Sequence, residues 1–193
     1  MSKILVNILL ALVVGVIVGF LVTIDFADSL LEMLLIVLLF IIGIEIGKDA
    51  NFEKFKAVSR EAISLSVGTV IGSCIAGLAL YFILGLDLKV SLSVAMGMGW
   101  YSFTGPFLAK NIGYFAGALG FTSNFFREVL TLFLYPKLKD KKAAISIGGA
   151  TTMDTTLPVI SSFSDPQTSL IAFVHGFLIS ASVPLLLMLV VSI

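Results

Sequence analysis

Long apolar runs are the feature that most constrains this chain, because they restrict it to a fold embedded in a membrane. About 20 apolar residues suffice for a helix to cross a hydrocarbon layer of ~30 Å. Charged residues make up 12% of the chain, about half of the share typical of soluble domains. The sequence therefore predicts an all-α integral membrane protein, with apolar runs at residues 4–24, 30–46, 62–84, 112–138 and 169–193.

Two further stretches combine apolar surroundings with residues that interrupt helices. Residues 97–106 hold three glycines and a proline, and residues 148–158 hold two adjacent glycines, four threonines, a proline and Asp154. Glycine weakens a helix and proline removes a backbone donor. Broken backbone at membrane depth is tolerated only where protein or a water-filled cavity satisfies it. An interfacial Trp-Tyr belt is the alternative for the first stretch, but such a belt does not require flanking glycines.

The distribution of basic residues predicts the topology. Residues 48–61 and 137–142 each hold four lysines or arginines, and basic connectors remain in the cytoplasm. The N-terminus is then expected inside the cell and the C-terminus outside. This orientation is consistent with about five crossing helices and two segments that are broken or re-entrant.

The two broken stretches fall in units of similar layout, residues 90–136 and 143–193, after three predicted spanning helices in residues 1–84. Each unit holds a closely spaced glycine pair followed by hydroxyl-bearing residues and a proline. The predicted topology orients the units in opposite directions, which makes them an inverted repeat within one domain, 1–193. Paired, interrupted segments of this kind indicate the substrate site of a secondary transporter.

Asp154 is the first candidate for binding, because carboxylates at membrane depth usually serve a substrate, a proton or an ion. Half-helix N-termini at the breaks would offer N–H groups to a substrate carboxylate, so a zwitterion with an extra amine fits both features. The predicted substrate-binding residues are Asp154, Thr151, Thr152, Gly149, Gly99, Trp100, Tyr101, Ser102 and Asn124. The predicted proton- or ion-coupling residues are Asp154, Glu128, Arg127 and His175.

Several of these residues have a second interpretation. Arg127 and Glu128 are sequence neighbours, which do not face each other on a helix, so each needs a different partner or a polar cavity. A lone histidine such as His175 on an apolar helix is as often a hydrogen-bonded packing residue as a proton carrier. Trp100 and Tyr101 either stack on a cation or line the break.

Other classes of function have little support. Lysine plus arginine equals aspartate plus glutamate at 12 each, so net charge does not point to nucleic acid. No metal-ligand spacing and no glycine-rich phosphate loop after a strand occur, so we expect no metal and no cofactor. Ser102 with His175 leaves a hydrolase open, but we predict that the chain is not an enzyme. A membrane subunit that supports a partner without transporting anything is a further alternative.

The stretch Gly97-Met98-Gly99-Trp100-Tyr101-Ser102 resembles a signature of the lysine exporter LysO family. Arg127-Glu128, the Gly149–Pro158 stretch and Val174-His175-Gly176-Phe177 agree with that family in the same order. The resemblance implies a prokaryotic cytoplasmic-membrane exporter of L-lysine and lysine analogues, driven by exchange with protons. Asp154 matches an intramembrane acidic position of that family.

The chain also departs from the family. Members often carry Asn-Asp at the position of Ser123-Asn124, and Gln at the position of Glu45. Export of another amino acid or cation is therefore an open alternative. Longer members have a further membrane region before the part matched here, so we expect a homodimer or a separate small membrane subunit.

Overall fold

The computed structural model describes residues 3–22, several positions between 26 and 44, and the continuous stretch 52–192. Every regular element in these ranges is helical, which confirms the predicted all-α class. Residues 1–43 and 44–193 form two compact units. The first unit contains α1 (Lys3–Leu21), whose described side chains are mostly exposed. Glu45 and part of the predicted 30–46 span lie outside the described residues.

Helix α2 (Phe52–Leu84) begins ten residues before the predicted span 62–84. Residues 52–61, predicted to belong to a polar connector, are helical because lysine, arginine and glutamate are good helix formers. Glu61 in this first part forms an exposed ion pair of 2.7 Å with Lys142. From Lys56 to Leu84 the helix is long and apolar enough to cross a membrane.

The first predicted break separates α3 (Leu88–Met96) from α4 (Tyr101–Asn111). Asp87 begins α3 by accepting hydrogen bonds from two amides of the first turn. The break comprises residues 97–100. It is shorter than the predicted stretch 97–106 because the helix begins at Tyr101 and accommodates Pro106 in its interior. Proline has no N–H, so the Ser102 carbonyl lacks its usual helical donor.

A tight turn at Gly113 joins α4 to α5 (Tyr114–Leu134), and the two helices pack closely. A Cβ added at Gly117 would lie 2.9 Å from the Ala109 backbone, and one at Gly105 would lie 2.9 Å from the Phe121 side chain. Glycine at both positions lets the helices approach, so α5 passes directly alongside the first break.

The second predicted break follows α6 (Lys141–Gly148), so part of the basic stretch 137–142 is helical rather than loop. A 3₁₀ turn (Gly149–Met153) and three non-helical residues lead to the short helix α7 (Leu157–Phe163). Pro158 lies in the first turn of α7, where proline is tolerated, so the break ends before it.

Helix α8 (Pro166–Ser192) is the second helix among the described residues with the length and composition to cross a membrane. Its buried face joins a core in which both breaks take part. The core consists of Val94, Met96, Met98, Leu108, Ala116, Ala150, Ile179, Val183 and Leu187. The five crossings and the inverted repeat stay predictions.

Candidate binding site

The two breaks cross each other with their backbones in direct contact. The Ala150 N–H donates a hydrogen bond of 2.8 Å to the Met98 carbonyl. Gly149 has a φ of 62°, and a Cβ there would collide with the Met98 carbonyl oxygen. Gly99 has a φ of 95°, and its Cβ would lie 2.7 Å from the Gly148 oxygen. Both glycines are therefore required by conformation and by close approach.

A small cavity of about 80 Å³ lies at this crossing. Most predicted substrate-binding residues line it, including Asp154 and all four candidates from the first break. Ser180 of α8 also contributes, and no local pattern in the sequence marks it. The lining residues are Gly99, Trp100, Tyr101, Ser102, Ala150, Thr151, Met153, Asp154, Thr155 and Ser180.

Two carboxyl groups and a phenol meet beside this cavity. The Glu128 carboxyl on α5 lies against the hydroxyls of Tyr101 and Thr155, and it interacts electrostatically with Asp154. Glu128 Oε2 is buried without a hydrogen-bond partner in the described part of the chain. Asp154 Oδ1 accepts hydrogen bonds from the Thr155 N–H and hydroxyl. Two interacting carboxylates with spare acceptor capacity can accept a cation or a proton.

Aromatic contacts hold the Tyr101 ring in place. It packs edge-on against Phe121 and Phe125, with ring centroids 5.4 Å and 5.7 Å away. Trp100, the residue before α4, supplies no side-chain cap to the helix. The first turn of α4 lies at the cavity, and its N–H groups have no side-chain acceptor from the capping residue. They therefore favour a negatively charged group there.

Three predicted site residues do not line the cavity and instead hold the second break to the helices around it. Gly149 forms the backbone crossing. The Thr152 hydroxyl lies within hydrogen-bond distance of the Gly149 and Ala172 carbonyls and, at 3.0 Å, of His175 Nδ1. His175 Nε2 lies 2.9 Å from the Thr69 hydroxyl of α2. Both nitrogens of this fully buried ring are thus occupied, as expected of a packing histidine.

Asn124 and Arg127 also lie outside the cavity lining, although both are on the α5 face that approaches the two breaks. Asn124 hydrogen-bonds the Gly99 N–H and the Val94 and Gly120 carbonyls. Arg127 donates to the Ser146 and Ile147 carbonyls at the end of α6. Of the residues predicted for proton or ion coupling, Asp154 and Glu128 interact electrostatically beside the cavity, and Arg127 and His175 interact with each other away from it.

A polar site where two interrupted helices cross is the pattern that indicates the substrate site of a secondary transporter. The family model described as "Lysine exporter LysO" matches residues 9–191. The chain belongs to the lysine exporter LysO family.

Two curated relatives are consistent with this membership. "Lysine exporter LysO" of Escherichia coli (strain K12) is 34% identical over 149 residues, which cover 76% of this chain and 50% of that protein. The "Putative lysine exporter" of Haemophilus influenzae (strain ATCC 51907 / DSM 11121 / KW20 / Rd) is 29% identical over 148 residues, 76% of each chain. The matched part is therefore half of the first relative's length. No solved structure matches the chain.

Proposed function

We propose that this chain exports L-lysine and lysine analogues from the cytoplasm across the prokaryotic inner membrane, in exchange for protons. The observation that carries the proposal is the pair of carboxyl groups, Asp154 and Glu128, beside the cavity at the crossing of the two breaks. Family membership and the names of the relatives support lysine as the substrate.

The two ends of a lysine molecule suit the two kinds of polar group at the site. The side-chain ammonium lies against Asp154 and Glu128, where the unpartnered Oε2 can accept a hydrogen bond. The α-carboxylate lies at the uncapped start of α4, where the N–H groups of Tyr101 and Ser102 point away from the helix. The hydroxyl of Thr151 and the ring of Trp100 complete the lining.

Coupling to protons follows from the proximity of the two carboxyls. Two carboxylates that interact at a half-buried site repel each other, so the pair favours one bound cation or a proton. Lysine and protons then compete for the same negative charge. Release of lysine outside lets protons enter the pair, and their release inside readies the pair for the next lysine.

We also propose the predicted orientation, with the N-terminus inside, the C-terminus outside, five crossings and two re-entrant segments in inverted units. We further propose that the chain acts as a homodimer or with a small membrane subunit. Export of another amino acid or cation is the alternative. A supporting subunit without transport activity would leave the half-buried carboxyl pair unexplained.

The test is counterflow of labelled lysine in proteoliposomes, with and without a pH gradient. Asp154→Asn and Glu128→Gln remove one charge each at nearly constant shape. Either should raise the KM for lysine at least about thirtyfold, because one partner of a half-buried charge pair is lost. Asp87→Asn is the matched control, since asparagine also caps α3 and lies away from the cavity.

The outcomes separate the alternatives. Flux that depends on both acidic residues and responds to the gradient supports lysine–proton exchange. Folded wild-type protein that transports another cation but not lysine would reject the substrate and keep the site. Equal flux in wild type and Asp154→Asn would reject the site itself.

A further inference from the structure

We propose that Asn124 and Arg127 are positioning residues, whose side chains take the place of backbone groups that the two breaks leave without helical partners. In this role Arg127 acts as a hydrogen-bond donor and not as a charge that pairs with substrate or protons. The assignment depends on contacts within the protein and goes beyond the transport proposal.

At the first break, Asn124 replaces one link of the helical hydrogen-bond ladder. A continuous helix would connect the Met98 N–H to the Val94 carbonyl, but that N–H bonds weakly to Ala95, at 3.3 Å. Asn124 Nδ2 donates to the Val94 carbonyl at 3.0 Å, and Oδ1 accepts from the Gly99 N–H at 2.7 Å. One buried amide thus satisfies an acceptor before the break and a donor within it.

At the second break, Arg127 does the same for the end of α6. The Ala150 N–H, which would complete the ladder to Ser146, donates to Met98 instead. Arg127 Nη2 donates to the Ser146 carbonyl at 2.9 Å, and Nε donates to the Ile147 carbonyl at 2.7 Å. The guanidinium therefore makes it possible for the second break to turn toward the first.

The third nitrogen of Arg127 also contacts a neutral group, since Nη1 lies 3.3 Å from the Ser73 hydroxyl of α2. In the described part of the chain, Arg127 forms no ion pair with any carboxylate. Its charge lies at the carbonyl end of α6, which favours a cation. Nothing in this geometry directs the charge toward the cavity that holds Asp154.

The spacing on α5 places the Asn124 and Arg127 contacts on the same helix as Glu128, one of the two carboxyl groups beside the cavity. Asn124, Arg127 and Glu128 lie at positions i, i+3 and i+4 and so share one face of the helix. One rigid helix therefore fixes the first break, the second break and the Glu128 carboxyl together. A displaced Arg127 contact should move Asp154 relative to Glu128 without removing either group.

Three substitutions at Arg127 separate donor from charge. In Arg127→Gln the amide nitrogen stands at the same distance along the side chain as Nε, so it can donate to Ile147 without a charge. Arg127→Met has similar length and no donor, and Arg127→Lys keeps the charge on one point. We expect the glutamine variant to keep its KM for lysine within about threefold, and the methionine variant to lose flux by about a hundredfold.

The opposite result would overturn the proposal. If Arg127→Lys is active and Arg127→Gln loses as much flux as Arg127→Met, Arg127 acts through its charge. Failure of glutamine and lysine alike would also overturn it.

Hydrogen exchange measured by mass spectrometry tests the same point without any flux. Asn124→Leu should speed exchange of the Gly99 amide at least about tenfold, because that amide loses its acceptor. Asn124→Asp keeps the acceptor and loses both donors, so Gly99 should stay protected. Equal protection of Gly99 in the wild type and Asn124→Leu would contradict the positioning role. These readouts stay valid if the wild type transports something other than lysine.

Discussion

The two breaks meet at one point but are built from different chemistry. The first break spans four residues, contains no charge, and presents glycine backbone and aromatic rings to the cavity. The second contains a 3₁₀ turn, is rich in hydroxyls, and carries the carboxylate Asp154. The first break therefore supplies shape and leads into the free N–H groups of α4, whereas the second supplies charge. The site exists only where the two are held together.

Separating the two backbones where Gly149 meets Met98 should destabilise the crossing of the two breaks most severely. Gly149→Ala places a Cβ against the Met98 carbonyl in a backbone conformation that alanine rarely adopts. We expect a loss of more than about 3 kcal/mol of stability, from strain plus the displaced backbone contact. Thermal unfolding of the purified protein in detergent would measure it.

Gly68→Ala is the matched control, because a Cβ at Gly68 on α2 meets no atom within 4 Å. Alanine there should be neutral or stabilise the helix by up to about 1 kcal/mol. If Gly149→Ala melts at the same temperature as this control, the crossing of the two backbones is wrong.

Removing the polar anchor of the second break should have the next largest effect. Thr152→Val deletes a buried hydroxyl that lies within hydrogen-bond distance of His175 and of two carbonyls, and the imidazole is left with one partner. We expect a cost of about 1–3 kcal/mol in the free energy of unfolding. Thr152→Ser keeps the hydroxyl and should recover most of it. Denaturation of both variants under one condition gives the comparison, and equal losses would show that the methyl group matters rather than the hydroxyl.

Much of this difference between the breaks could be predicted from the sequence. Closely spaced glycines and a nearby proline in apolar surroundings marked both breaks, and the carboxylate at Asp154 marked the candidate site. Sequence could not fix the limits, because proline is tolerated inside α4 and in the first turn of α7.

The local sequence pattern could not reveal the roles of residues whose partners are distant in the sequence. Asn124, Arg127 and His175 all looked functional because they are polar in apolar helices, and that pattern is the same for a group that binds substrate and one that satisfies backbone. Their long-range partners lie 19 to 106 residues away along the chain. Only the packing of α5 and α8 against the breaks separates the two roles.

His175 on α8 contacts Thr152 of the second break. It offers a test of whether proton exchange involves this histidine or only the two carboxyl groups. Both ring nitrogens contact hydroxyls, so we expect His175 to anchor the turn rather than to exchange protons with the acidic pair. His175→Gln should lower the maximal flux several-fold. The reason is that each lost hydrogen bond removes about 1 kcal/mol or less of the stabilisation that holds the turn. The dependence of the remaining flux on pH should keep its shape. A profile that becomes flat in folded protein would assign proton coupling to the histidine.

The smallest effect should come from the residue that follows the first break, at the hydroxyl of Tyr101. This group lies against Glu128, but the ring itself is held by Phe121 and Phe125 and should stay in place without it. Tyr101→Phe should therefore raise the KM for lysine by about three- to tenfold, the equivalent of one hydrogen bond, and leave maximal flux nearly unchanged. Uptake measured over a range of lysine concentrations separates the two parameters. A loss as large as that of Asp154→Asn would mean that the first break also supplies polar binding chemistry, and the division between shape and charge would fail.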